Sequence, residues 1–229
     1  MTRKVYDLCG ADDLRFSPNC WRIRLALAHK GLETEFAPWN FTDKEAIAFS
    51  GSTTVPVLVD GEETIVGSWN IACYLEDSYP DTPSYFGGEA GRAVTGFINA
   101  WTDSTLHPAL VRCIVTDVHE RLDPVDQDYF RETREARFGK TLEEMRDARA
   151  EFIEALEPAL KPLQTILHYE EWISGDAPAY ADYLVFGAFQ WARLVSPVEL
   201  LKKDSPISGW RERMLDLFDG LARTQPAAG

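Results

Sequence analysis

The sequence predicts a small α/β domain followed by an all-helical domain. Three observations lead there. Strand-like and helix-like runs follow the order β-α-β-α-β-β-α over residues 1–83. Residues 84–92 then shift to glycine and small polar residues and read as a linker. From residue 93 to 229, helical periodicity persists without a convincing strand.

The first strand is residues 4–9, and a loop carries the chain to Phe16-Ser17-Pro18-Asn19-Cys20-Trp21-Arg22. Ser17 stands where an N-cap belongs, and Pro18 falls at the first helical position, where its fixed φ fits and its missing N–H costs nothing. The helix runs to near Lys30, and Gly31 is suited to a left-handed cap. Residues 33–39 read as a second strand and residues 42–49 as a short helix capped by Thr42, with Lys44 in its first turn. The polar loop 50–54 leads into strand 55–59. Asp60-Gly61 is a hairpin signal, and residues 64–66 pair back. Gly67-Ser68 ends that strand and caps a helix over residues 69–77, where Ile71, Ala72 and Leu75 recur at helical spacing. Pro80 and Pro83 stop it.

Beyond the linker, residues 93–118 form a long helical pattern that Pro108 should kink or divide. Residues 122–145 are heavily charged, interrupted by Pro124 and Gly139, and read as a solvated helical excursion. Residues 146–168 are helical with breaks expected at Pro158 and Pro162. Residues 182–194 make an apolar helix suited to the core of the second domain. Residues 210–221 form a last amphipathic helix, and residues 225–229 a frayed tail.

Composition excludes several classes. The net charge of −14 and pI near 4.7 argue against binding nucleic acid or an anionic membrane through a basic face. No apolar run reaches the length of a membrane span, and Met1-Thr2-Arg3-Lys4 opens no signal-peptide core. Cys9, Cys20, Cys73 and Cys113 form no Cys-x-x-Cys pair and no zinc spacing with a histidine, so no metal is expected and reduced cytoplasmic thiols are. No phosphate-cradling glycine loop follows a strand.

The chemistry is expected at the start of the Ser17 helix. Ser17 alone reads as an N-cap, yet a hydroxyl held among unpaired N–H groups and a partial positive charge can also stabilise an anion. The Val55-Pro56 loop and the Gly67-Ser68 turn could share the same edge of the first domain, and clefts between domains are common ligand sites.

Ser17-Pro18-Asn19-Cys20, Val55-Pro56, and Gly67-Ser68 before Ile71 and Tyr74-Leu75 together resemble the cytosolic glutathione transferases. The resemblance spans nearly the whole chain. It implies a thioredoxin-like glutathione-binding domain over residues 1–83, an all-α substrate domain over residues 93–229, and glutathione as co-substrate. It also implies a homodimer. Phe16-Ser17-Pro18, Trp21-Arg22 and the runs 25–31, 55–61 and 216–221 are similar to bacterial glutathione-dependent β-etherases and related fungal etherase-type transferases.

By this resemblance Ser17 takes the thiol-activating position; the Asn19 amide is the candidate to donate in its place. Serine cannot form a mixed disulfide, and Cys20 is read as a packing thiol. Val55, before a cis Pro56, would pair in strand fashion with the cysteine backbone of glutathione. Ser68 would bind the γ-glutamyl carboxylate at a helix N-terminus. Lys44 would meet the glycine carboxylate, or else be an exposed helix lysine. The family's acidic residue before that serine is replaced by Gly67, which leaves Asp103 as a candidate partner for the α-amino group, beside its reading as a surface aspartate. Ala179 replaces the usual capping Ser or Thr of the buried helix, leaving Asp182 to accept a backbone N–H.

The energetics permit a serine to do this work. Lowering a thiol pKa of about 8.5 by about two units needs roughly 2.7 kcal/mol. One hydrogen bond to a charged group contributes about 1.5–3 kcal/mol and a helix N-terminus about 0.3–1. The second substrate should be apolar or aromatic, with Trp101, Thr105 and Pro108, about a turn apart, as its wall. Asn19, Thr105 and His107 are candidate donors to a departing oxygen. The reading is thiolate attack on an aromatic electrophile, extending to β-aryl ether cleavage. The alternatives are conjugation of general electrophiles and non-catalytic binding of glutathione or apolar ligands.

Overall fold

The computed structural model describes residues 3–228. Its first part is a four-stranded mixed sheet, β1 (Arg3–Leu8), β2 (Thr34–Trp39), β3 (Val57–Asp60) and β4 (Glu63–Val66), in the order β2-β1-β3-β4. β1 pairs parallel to β2, and the crossover between them is α1 (Pro18–His29). It pairs antiparallel to β3, which returns to β4 through a two-residue turn opened by Gly61 at φ +64°. The central strand buries Val5 and Leu8. α2 (Ser68–Ser78) packs on β3, β4 and α1 and buries the anticipated Ile71, Ala72 and Leu75. This is the small α/β domain expected from the sequence, with its mixed sheet covered by α1 and α2.

The second part is helical: α3 (Glu89–Trp101), α4 (His107–Glu120), α5 (Pro124–Phe138), α6 (Leu142–Asp147), α7 (Arg149–Tyr169), α8 (Tyr180–Val195) and α9 (Pro206–Gly220). α8 is the central helix, with Tyr183, Leu184, Val185 and Phe186 fully buried. Asp182, itself without exposure, accepts from the N–H groups of Ile173, Ser174 and Ala179 and from Trp210 Nε1. The missing side-chain cap at Ala179 is thereby offset by one carboxylate that ties three segments together. α8 also packs lengthwise on α1. A Cβ on Gly187 would lie 2.4 Å from the Pro18 carbonyl oxygen, so only glycine lets the two helices approach this closely.

Several expectations change. Residues 42–49 are not a Thr42-capped helix: a 3₁₀ segment covers Glu45–Ser50, and Thr42 instead gives its N–H and hydroxyl to Asp126. α3 begins at Glu89, inside the anticipated linker. The long pattern divides just before Pro108, which stands in the first turn of α4; a π-helical turn over Thr102–Leu106 joins α3 to α4, widening the coil just where proline cannot donate. α7 runs through Pro158 and Pro162. α9 loses helical geometry at Leu217, Phe218 and Asp219, the last two at positive φ.

Residues 122–145 are not a solvated excursion. Leu122, Phe130, Leu142 and Met145 are buried. Asp126, fully buried on α5, accepts from the N–H groups of Phe41 and Thr42 and from the Thr42 hydroxyl, which fastens α5 to the first domain. Residues 225–228 are not frayed either. Ala228 N–H donates to the Arg193 carbonyl, and Arg193 Nη1 donates to that of Gln225. Met1, Thr2 and Gly229 lie outside the described residues.

Candidate active site

Three backbone features of the first domain converge on one cleft. The first is the start of α1. Ser17 Oγ accepts the Cys20 N–H at 3.3 Å, and Pro18 occupies the first turn. A hydroxyl that accepts one bond still has its own proton to donate. The second is the Val55–Pro56 peptide bond, which is cis, with Thr54 and Val55 on the cleft wall. The third is the start of α2. Gly67 sits at φ +86°, in the left-handed region that favours glycine, and Ser68 follows at the first helical position.

The helical half supplies the opposite wall through Asn99, Asp103, His107, Pro108, Val111, Arg137 and Trp191, enclosing a cleft of about 470 Å³. A smaller arm of about 220 Å³ continues from it, sharing Pro18, Asn19, Thr54, Val55, Val111, Arg137 and Trp191. Ser17 opens into this arm, as do the rings of Phe16, Trp39, Phe41 and Phe130.

Of the residues singled out from sequence, Asn19, Val55, Pro56, Ser68 and Pro108 line the main cleft, and Ser17 lines its arm. Lys44 does not. Its Nζ donates to the Thr53 carbonyl at 2.9 Å and lies over the Trp39 and Tyr129 rings. Trp101 and Thr105 also lie off both walls: Trp101 is half-buried against the core, and Thr105 is exposed on the π-helical turn. The turn directs Asp103, His107 and Pro108 to the cleft instead.

Sequence reading passed over Arg22. Its side chain is 1% exposed beneath the floor of the cleft. Nη1 reaches Ser68 Oγ at 3.5 Å and Asn99 Oδ1 at 3.4 Å, and Nη2 donates to Asp103 Oδ1 at 2.8 Å. Nη2 also stands 3.4 Å from His107 Nε2. A guanidinium only donates, so Nε2 is the acceptor and the imidazole proton is assigned to Nδ1, 3.6 Å from Asp103 Oδ1. Burial first, and the Arg22 charge second, push the His107 pKa down to about 3, so the ring is neutral. Its proton faces the carboxylate rather than open space, which removes His107 as a ready donor to a leaving oxygen.

Arg22 follows Pro18 by four residues and so shares its helix face. That spacing was the available signal; the glycine facing it, 165 positions later, is a tertiary fact. Trp191, Arg134 and Arg137 were also missed, the arginines because α5 read as solvated. Cys20 is fully buried, and burial raises its thiol pKa well above the ordinary value, which keeps it protonated and unreactive.

Comparisons with known proteins show the family. The family described as Glutathione S-transferase, N-terminal domain matches residues 13–83, and Glutathione S-transferase, C-terminal domain matches residues 93–218. The glutathione S-transferase-like protein ustS of Aspergillus flavus is 25% identical over 207 residues, covering 77% of this chain and 74% of its own. The glutathione transferase GSTFuA3 of Phanerochaete chrysosporium superposes with a TM-score of 0.78 at 27% identity, covering 98% of this chain and 94% of its own. The glutathione S-transferase CsGST63524 of Ceriporiopsis subvermispora, solved in complex with glutathione, gives 0.81 at 25% identity, covering 95% and 96%.

Proposed function

The chain belongs to the glutathione S-transferase family, and we propose from this that its cleft binds glutathione and ionises the thiol for attack on an aromatic electrophile. The observation that carries the reading is the convergence of Ser17, Val55 and Ser68 on one connected cleft. The Val55 backbone pairs with the cysteinyl unit. Ser68 and the α2 N-terminus take the γ-glutamyl carboxylate. Asp103, held by Arg22, accepts the α-amino group, supplying from the helical half the negative charge that Gly67 lacks. The Ser17 hydroxyl donates to the thiolate, with Asn19 beside it. Residues 1–83 thus hold most of glutathione, and residues 93–229 close the arm for the second substrate against the first domain's Phe16, Trp39 and Phe41.

The aromatic arm beside Ser17 supports a finer reading. A β-aryl ether ketone has a ring to fill that arm and a carbonyl to activate the carbon under attack. The C–S bond forms as the C–O bond breaks, and the electron pair leaves as a phenoxide, whose charge spreads into its ring. Four free cysteines fit a reducing, cytosolic setting, and the functional unit is a homodimer.

The test is a glutathione titration of the purified protein followed by an aryl halide assay. Saturable binding with thioether formation is expected; binding without turnover would reduce the protein to a glutathione binder. One thioether per phenol released from a β-aryl ether ketone is the expected etherase result. Conjugation of the halide without phenol release would remove that finer reading alone. Asp103→Asn should weaken glutathione binding more than it weakens binding of an analogue lacking the α-amino group, and equal losses would reject the Asp103 assignment.

A further inference from the structure

Most arginines of this acidic chain are paired with carboxylates. Arg22 pairs with Asp103, Arg24 with Asp7, Arg149 with Asp117, and Arg131, on α5 itself, with Glu135 and Glu143. Among the described residues five arginines are exceptions, Arg112, Arg121, Arg134, Arg137 and Arg193, and of these Arg134 and Arg137 line the arm of the cleft. Among the described residues neither Arg134 nor Arg137 has a carboxylate within ion-pair distance, although 37 of the 229 residues are Asp or Glu. The nearby Asp126 is occupied by Phe41 and Thr42.

Both arginines line the arm of the cleft, and Arg137 lines the main cleft as well. Arg134 lies over the Phe130 ring at 4.5 Å and the Phe41 ring at 5.6 Å, and its one hydrogen bond goes to the neighbouring Thr133 hydroxyl at 2.9 Å. Burial, and then the charge of Arg137, lower its pKa from the ordinary value, as expected of a cation set beside another cation. Arg137 is exposed, with its guanidinium 5.5 Å from the Phe138 ring. No lysine lines either space, since Lys44 is engaged at Thr53. A pair of guanidinium groups above an aromatic wall has the donor geometry for a carboxylate attached to a flat, apolar body.

We propose that Arg134 and Arg137 form a carboxylate-binding subsite in the arm of the cleft, which makes the preferred second substrate an aromatic acid. The assignment rests on the transferase reading for what enters the arm, but not for the binding itself. The same chemistry has a second source, the glycine carboxylate of glutathione, and the two are separable.

The experiment has two equilibrium arms and one kinetic arm. In the first, binding of unreactive 3,5-dinitrobenzoate and 3,5-dinitrobenzamide is measured with saturating glutathione by calorimetry. The acid should bind about tenfold tighter or more, the worth of a hydrogen bond to a charged group, and Arg137→Gln should collapse that ratio. In the second, glutathione is compared with γ-glutamylcysteine, which lacks the glycine. A loss in Arg137→Gln confined to glutathione assigns the subsite to the glycine end. A collapse confined to the dinitro pair assigns it to the second substrate. The second result supports the proposal whole; the first keeps a carboxylate subsite and overturns the aromatic-acid preference. Arg134→Lys, which keeps a cation and a long stem against the rings, guards against misreading a folding defect and should retain part of the preference.

Equal affinity for acid and amide in the native protein, with glutathione binding untouched in Arg137→Gln, overturns the proposal. The kinetic arm compares 4-chloro-3,5-dinitrobenzoate with its amide; chloride leaves with the bonding pair as the C–S bond forms. An acid preference in binding without conjugation of either compound would sink the transferase reading and leave the subsite standing. Conjugation of both at equal efficiency, with no preference in binding and glutathione affinity unchanged in Arg137→Gln, would do the reverse.

Discussion

Ser17 places two demands on one oxygen: it accepts the Cys20 N–H and, in the proposed complex, donates to the thiolate. The two are separable by substitution. Ser17→Ala should lose about 1.5–3 kcal/mol of thiolate stabilisation, raising the pKa of bound glutathione by about one to two units, and should also lose about 0.5–2 kcal/mol of stability as a cap. Ser17→Gly should lose the first and only a few tenths of the second. An ultraviolet thiolate titration beside thermal melts reads both, and an unchanged titration would shift the role to Asn19. His107 makes a second residue-scale prediction. Its folded pKa is about 3, against about 6.5 unfolded. Between those values the unfolded chain binds a proton that the folded chain refuses, so stability falls as pH drops through that window, by up to about 1.4 kcal/mol per unit. His107→Gln keeps an acceptor for Arg22 and should flatten this slope in urea unfolding at pH 4.5 and 7. An unaltered slope would place the acid sensitivity elsewhere.

At the scale of elements, the contact between α1 and α8 and the anchoring of α5 set the cleft. Gly187→Ala would drive a methyl into the Pro18 carbonyl and against Arg22 Cγ, 3.3 Å from the added atom. A cost of about 1–3 kcal/mol is expected, with weaker glutathione binding because the start of α1 must move; native affinity in a destabilised variant would uncouple the packing from the site. Asp126→Asn leaves an amide facing backbone donors and should cost about 3 kcal/mol, with faster hydrogen exchange at Phe41 and Thr42 as the local signature. These elements also mark how far the sequence could be read. The succession of strands along the chain, the Ser17–Pro18 start, the Gly31 turn and the α8 core were legible because caps, glycines and periodicity are local. α5 was not, because its charge is real but its direction is tertiary: Arg131 pairs at the surface while Arg134, three residues on, turns over buried rings. The same limit explains Trp101 and Thr105. A uniform helical count across residues 101–108 misassigns faces once a π-helical turn adds a residue to the coil, and the cleft received Asp103 and His107 instead.

At the scale of the whole molecule, charge and exposed apolar surface bear on association. Each chain carries −14, so the proposed homodimer should tighten as salt screens the repulsion between its halves. On α3, Val94 and Phe97 are 62% and 73% exposed and three residues apart, which puts them on one face. Phe97→Glu should weaken the dimer in sedimentation, and an unmoved equilibrium would place the contact on another face. The close approach of α1 to α8 bears on synthesis as well. α1 leaves the ribosome early, and the helix that covers it follows about 150 residues later. At about 5–20 residues per second the wait is on the order of 10–30 s. Throughout that interval the first domain exists without the helix that packs on Pro18 and Arg22, and the nascent chain presents a half-made cleft wall to whatever chaperones are at hand.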